Sequence, residues 1–244
     1  MVDYRNMQAR SPAGVRVDTG VDQGLRSYML GVYNMMALGL AVTGIAALGT
    51  SVLAQSNPAF AQLLYASPLR WVIMLAPLIA VFFLSFRIEN FSVGAARVTF
   101  WVYAALVGLS LSSIFLVFTG QSIVRTFFVT AASFGALSLY GYTTKRDLSA
   151  MGSFLMMGVF GLILASIVNI FLGSTALQFA VSVLGVLIFA GLTAYDTQSI
   201  KEMYFEGDSS DTMGRKIVMG ALRLYLDFIN MFMFLLQFMG NNRN

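Results

Sequence analysis

Two acidic side chains in this 244-residue chain sit where an acid needs a reason. Asp196 lies in GLTAYDTQSIKEMY (191–204) and Asp227 in ALRLYLDFIN (221–230), each inside a long apolar stretch, and no other carboxylate does. A carboxyl group away from water is costly unless it is paired, protonated or turned toward a hydrated path, so intramembrane acids mark ion or proton routes. Two such groups at close range cannot both ionise cheaply and titrate as a unit competing for one proton. The pair would be a pH switch in a chain that has no histidine to act as one. Its oxygens would also suit a hard divalent cation such as calcium. A structural alternative stands beside this: Arg223 and Asp227 are four residues apart on one helical face and can neutralise each other, while Asp196 can bond to Thr193 or Tyr195. Tyr195, Thr197 and Asn230 are the nearby polar groups that would line a path or hydrogen-bond the pair.

The rest of the composition removes most other chemistry. Without cysteine there are no disulfides, thiolate metal sites, cysteine nucleophiles or iron–sulfur clusters. Without histidine there is no Ser-His-Asp triad, no zinc-protease helix and no axial haem histidine. No cofactor is expected. Fifteen methionines are scattered through apolar segments, which suits packing better than soft-metal binding. The acidic loop Glu202 to Asp211 lacks the ligand spacing of a calcium-binding EF-hand.

The elements that must position the two acids are membrane helices. The chain is 58% apolar and 11% charged, far from the balance of a soluble domain, and the excess falls into runs of bilayer-spanning length. Seven such runs are read: 30–53, 69–86, 98–118, 123–142, 151–172, 176–200 and 217–239, the second expected to kink at Pro77. The short connections 119–122 and 173–175 predict two antiparallel hairpins, spans three with four and five with six. Asp196 sits four residues before the end of its span and Asp227 ten into its own, so their depths differ by about 5–9 Å at 1.5 Å per residue, and their side chains can meet. The domain reading is a flexible tail over 1–29, a seven-helix transmembrane domain over 30–239 and a short tail over 240–244. The first span follows 29 polar residues, so it is read as a retained helix rather than a cleaved signal.

Charge then orients the bundle. Eleven of the fifteen Lys and Arg lie on one side: Arg5, Arg10, Arg16, Arg26, Arg87, Arg97, Lys145, Arg146, Lys201, Arg215 and Lys216. By the positive-inside rule the N-terminus is cytoplasmic and the C-terminus outside. The net charge of +4 is thus a topology signal, and no nucleic-acid partner is implied.

The residues GLTAYDTQSIKEMY, an acidic loop, and then LRLYLDFINMFMFLLQFMG closely resemble the signature of the Bax inhibitor-1 (transmembrane Bax inhibitor motif) family. TTKRDLSAMGSFLMMG (143–158) and GVYNMMALGLAVTG (31–44) look like its bacterial members, and the likeness runs from about residue 26 onward. It implies an all-α bundle of seven transmembrane helices with the last helix central and six around it. It further implies a pH-sensitive calcium leak in a bacterial inner membrane, gated by an aspartate pair that maps onto Asp196 and Asp227. Bacterial members carry an arginine near the inner end of span two that engages this pair, and Arg87 occupies the comparable place. The lysine-rich C-terminal tail of some eukaryotic members is absent, since this chain ends in NNRN, and Arg223 adds a fixed positive charge beside Asp227. Arg87 and Arg223 are therefore the candidates for latch or counter-charge.

Three functions compete. The leading one is passive cation transport, not catalysis; repulsion between the two acids favours opening as pH rises, and a latch by Arg87 or Arg223 would reverse that sign. An intramembrane aspartyl protease is the second, since a Tyr-Asp and a second Asp on adjacent spans resemble presenilin-type enzymes. Those need Gly-x-Gly-Asp, and here Leu224, Tyr225 and Leu226 precede Asp227. The third is a regulator of a membrane-bound protease or other membrane complex through helix contacts, as is described for some bacterial relatives, with the polar tail as docking segment.

Overall fold

The computed structural model describes residues 19–87, 91–241 and 243, with side chains described from Gln23 onward and not at 85–87. Among the described residues the chain is helical, without strands. Helix α1 runs Thr19–Ser56, followed by one turn of helix α2, Pro58–Ala61, that passes into a π-helical turn, Gln62–Ala66. Then come α3 (Leu69–Arg87), α4 (Val93–Leu111), the single turn α5 (Ile114–Val117) and α6 (Gly120–Thr143). Helices α7 (Ser149–Leu172), α8 (Thr175–Glu202) and α9 (Ser210–Met239) complete the bundle. Six helices are long and apolar enough to cross a membrane, and the bent unit Pro58–Ala66 with Leu69–Leu84 makes a seventh crossing when taken as one span. This is an all-α polytopic membrane protein.

The helix starts follow from short polar side chains that accept from otherwise unpaired N–H groups. Ser92 accepts from Ala95, Thr119 from Ser122, Ser174 from Leu177 and Ser209 from Thr212. The α7–α8 turn is closed by Gly173 in the left-handed region, φ 60°, a conformation glycine adopts without a Cβ penalty. Asn169 helps close it by accepting from the Ser174 N–H at 3.0 Å. That residue, one of the uncharged polar groups inside the spans, is thereby used locally.

Helix α9 is the axis of the bundle. It packs on α1, α4, α6 and α8, whereas α3 leans chiefly on α4 and α7 on α8. The expectation of six helices around the last one is thus met by four, with α3 and α7 in an outer layer. Arg223, Asp227 and Asn230 all lie on α9, and burying that helix keeps them largely out of lipid, where polar groups are costly. Its three faces are distinct: Gly220 meets Ile200 of α8, Tyr225 meets Phe100 and Tyr103 of α4, and Phe228 meets Phe127 and Phe134 of α6.

Local expectations differ from the structure in three further places. Helix α1 begins at Thr19, so residues 19–29 of the segment read as flexible tail are helical, while 1–18 lie outside the described residues. The sharp bend of the second crossing, 61°, falls at the break between Ala66 and Leu69, and α3 runs unbroken through Pro77. The short connection between α4 and α6 does not make a packed hairpin: α4 packs on α1, α3 and α9, and α6 on α8 and α9. At the turn that joins them the chain end is bonded instead. Thr119 N–H donates to the Asn241 carbonyl at 3.1 Å, Arg243 N–H to Val117 at 2.8 Å, and Asn241 N–H to Ser122 Oγ at 3.0 Å. The segment read as a short C-terminal tail is therefore tied into that turn, while α7 and α8 do form the expected hairpin.

Candidate functional site

Helices α8 and α9 run antiparallel and pack together, with glycines receiving side chains of the facing helix. The Phe234 ring of α9 lies over Gly185 of α8, where an added Cβ would stand 2.5 Å from it, and Gly220 of α9 receives Ile200 of α8. This packing sets Asp196 and Asp227 beside each other across the interface. Asp227 is 4% exposed, and its Oδ2 has no hydrogen-bond donor among the described residues. Two facing carboxyl groups can make a hydrogen bond only if one of them carries a proton, since an ionised carboxylate only accepts.

Arg223 lies one helical turn before Asp227 and places its charge near both acids. It does not close an ion pair with either: the ion pair found among the described residues is Lys216 with Asp208, at 2.5 Å. The mutual neutralisation of Arg223 and Asp227 is therefore not made by contact. Arg87 ends α3, but its side chain lies outside the described residues, as does any contact it makes.

The other three candidates turn elsewhere. Tyr195 lays its ring on Gly152 of α7, within 2.6 Å of where a Cβ would stand. Thr197 donates to the Thr193 carbonyl at 2.7 Å and bonds Ser138 of α6 at 2.9 Å. Asn230 Nδ2 donates to Leu226 of its own helix at 2.8 Å. None of the three is hydrogen-bonded to either carboxyl group. Tyr195 and Thr197 adjoin Asp196 in the chain and so point to other faces of α8, whereas Asn230 shares the face of Asp227 but spends its amide on its own helix.

Sequence reasoning missed Tyr28, which is 2% exposed, has a hydroxyl without a partner among the described residues, and feels the charges of Arg223 and Asp208. Its ring rests against Tyr204, 5.7 Å between centroids. Asp208 in turn holds Lys216, whose Nζ also donates to the Met203 carbonyl at 2.8 Å. This group caps the α8–α9 interface at the end of the bundle that carries most Lys and Arg. The available signal was Tyr28 itself, an aromatic residue two positions ahead of the first apolar run, at the depth where amphipathic rings collect. Toward the opposite end the interior closes with Tyr225, wholly buried, which bonds Thr43 at 2.6 Å while Thr43 donates to the Ala104 carbonyl.

The buried acid pair on the central helix and its neighbour can be set beside known proteins. Residues 25–244 match the model of a family described as inhibitor of apoptosis-promoting Bax1. The chain belongs to the Bax inhibitor-1 family. Among its relatives, a protein of Caulobacter vibrioides is 50% identical over 253 residues, with both chains covered in full. One of Rickettsia prowazekii is 50% identical over 226 residues, covering 91% of this chain and 93% of its own. Escherichia coli has a relative named inner membrane protein YbhL, 47% identical over 223 residues, covering 90% of this chain and 94% of its own. The Bax inhibitor-1 match takes in both Asp196 and Asp227 and begins just before Tyr28.

Proposed function

We propose that this Bax inhibitor-1 chain is a pH-sensitive cation leak of the bacterial inner membrane, with calcium as the permeant ion and Asp196 with Asp227 as the gate. The observation that carries the reading is Asp227: a carboxyl group 4% exposed on the central helix, with one oxygen lacking a donor, facing a second acid across the α8–α9 interface. With one proton between them the pair ties α8 to α9. Loss of that proton leaves two like charges in a dry interface, and the helices must part or admit a cation. Two carboxyl groups supply fewer oxygens than the six to eight that a calcium site uses, so the ion passes rather than resides. Arg223, close but not ion-paired, lowers the cost of the charged state without abolishing the repulsion. Opening therefore favours higher pH.

The reading is non-enzymatic. Leu224 and Tyr225, just before Asp227, are bulky and wholly buried where presenilin-type enzymes need glycine, which supports that reading. The basic end, with Lys145, Arg146, Lys201, Arg215 and Lys216, faces the cytoplasm on this reading.

Calcium flux into proteoliposomes across pH 5 to pH 8 tests the gate. Wild type is expected to leak more as pH rises. Asp196→Asn and Asp227→Asn each remove the shared acidic proton, and each should leave a flux that no longer follows pH. Unchanged flux with an unchanged pH profile in both variants would overturn the proposal.

A further inference from the structure

Helices α1 and α6 both pack on α9 and only loosely on each other, which leaves a seam between them. At the basic end the seam opens into a cleft of about 560 Å³, walled by Arg26, Leu30 and Tyr33 of α1 and by Phe134, Ser138 and Leu139 of α6. Farther along the same two helices lies a second cavity of about 280 Å³, between Leu40 and Gly44 on one side and Phe127 and Phe128 on the other, floored by Phe228 and Phe232 of α9. Both lie between the same two helices, the first toward the basic end. Leu30 and Leu139 on the rims of the first are 50% and 64% exposed, so it opens sideways toward the bilayer.

The chemistry of the walls changes with depth in one direction. At the mouth stands Arg26, and Tyr142 on the facing wall carries Lys201 over its ring at 5.0 Å. Just below, the Tyr33 hydroxyl bonds Ser138 at 2.5 Å and Ser138 bonds Thr197, so these polar groups are used within the protein. Beyond them the walls are apolar apart from Thr43, whose hydroxyl is bonded to Ala104 and Tyr225. From Arg26 to Leu40 is about 21 Å along the helix at 1.5 Å per residue, which is half of a bilayer about 40–45 Å thick with its headgroups. Two glycines keep the seam open: Gly135 lines the first cavity and Gly44 the second, and an added Cβ at either would meet nothing within 4 Å. A positive mouth at headgroup depth, with apolar space farther along the same two helices, complements one kind of molecule.

We propose that the α1–α6 seam is a binding site for an anionic phospholipid, its phosphate on Arg26 and an acyl chain laid between the helices toward Leu40 and Gly44. A bound lipid would rest on Phe228, one residue from Asp227, and would brace α1 and α6 against the central helix. The site stands independently of the cation-leak reading, since it needs neither aspartate.

Native mass spectrometry of the full chain in detergent tests it, with phosphatidylglycerol and phosphatidylethanolamine of the same acyl chains supplied in turn. Wild type should retain one phosphatidylglycerol about fivefold more readily than phosphatidylethanolamine, the preference that one basic residue gives. Arg26→Ala should erase that preference, and Arg26→Lys should keep it. Gly135→Phe fills the seam where space is open, so the helix is retained and binding of both lipids should fall. Equal retention of the two lipids by wild type, or an unchanged preference in Arg26→Ala, would overturn the proposal. So would a dimer that binds no lipid and dissociates in Gly135→Phe, which would assign the seam to a second copy.

Discussion

Helices α7 and α9 are similar in length and opposite in fate. In α7 only 6% of the most apolar window is buried, against 56% in α9, although α7 is the more apolar of the two. Phe154, Met157, Phe160, Ile170 and Phe171 of α7 are all mostly exposed, while Leu222, Leu224, Tyr225 and Leu236 of α9 are wholly buried. In water the order would be reversed. Lipid tails are as apolar as leucine, so exposing α7 costs nothing, and the bundle interior goes to the helix with polar groups to hide and surfaces that interlock. Burial in this protein therefore reports packing and polarity rather than apolar content, and the acid pair sits on the helix so selected.

The largest contrast is expected for matched ring deletions. Phe228 on α9 is 3% exposed, with its ring edge-on to Phe127 and Phe134 at 5.6 and 5.5 Å between centroids. Phe228→Ala should cost about 3–5 kcal/mol, the range for a buried ring replaced by a cavity. Phe160 on α7 is 66% exposed, and Phe160→Ala should cost less than about 1 kcal/mol, since lipid refills the space. Unfolding titrations in mixed micelles measure both, and equal losses would break the comparison.

A second pair reverses sign between the two helices. At Gly220 of α9 an added Cβ would lie 3.0 Å from Ile200 and 3.3 Å from Val32, and at Gly161 of α7 it would meet nothing within 4 Å. Gly220→Leu should destabilise by about 1–3 kcal/mol through overpacking. Gly161→Leu should stabilise by up to about 1 kcal/mol, the helix-propensity gain of replacing glycine. Melting curves of the two variants in one detergent sharpen the comparison, because both add the same side chain.

The contrast also marks what a single sequence could disclose. Apolar runs of bilayer length gave the crossings, and the rarity of acids inside them singled out Asp196 and Asp227, since both signals depend on residue type alone. What was not legible depends on helix rotation. Tyr195, Thr197 and Asn230 stand near the acids along the chain, but the side chains turn to Gly152, Ser138 and Leu226. When lipid and protein interior are equally apolar, periodicity does not say which face is inside. Tyr28 was missed because α1 continues as helix ahead of its apolar stretch, where hydropathy falls but hydrogen bonding does not. At the α4–α6 turn, Asn241 and Arg243 make contacts that join residues more than a hundred positions apart. Nothing local announces them.

The smallest expected effects lie where α7 and α9 begin, outside the spans. Ser209 caps α9 by accepting from the Thr212 N–H at 3.2 Å, and Ser209→Ala should lower the melting temperature by about 2–4 °C, as a lost cap of about 1 kcal/mol does at this chain length. Ahead of α7 the Asp147 carboxylate accepts from the Ser149 N–H at 2.8 Å. The Ser149 hydroxyl, with its N–H, holds Asp147 below the usual carboxylate range. A carboxylate so lowered contributes stability that is complete above its unfolded value, near pH 4, and is lost as pH falls through the folded one. Asp147 is fully open to solvent, however, and water screens the interaction. Asp147→Asn keeps an oxygen for the Ser149 N–H, so at pH 7 the melting temperature should move by less than about 2 °C, within the range of surface substitutions. Melting curves at pH 7 and pH 4 check this, and a drop at pH 7 larger than that of Ser209→Ala would mean that the outer helix is anchored at its start more firmly than the central one.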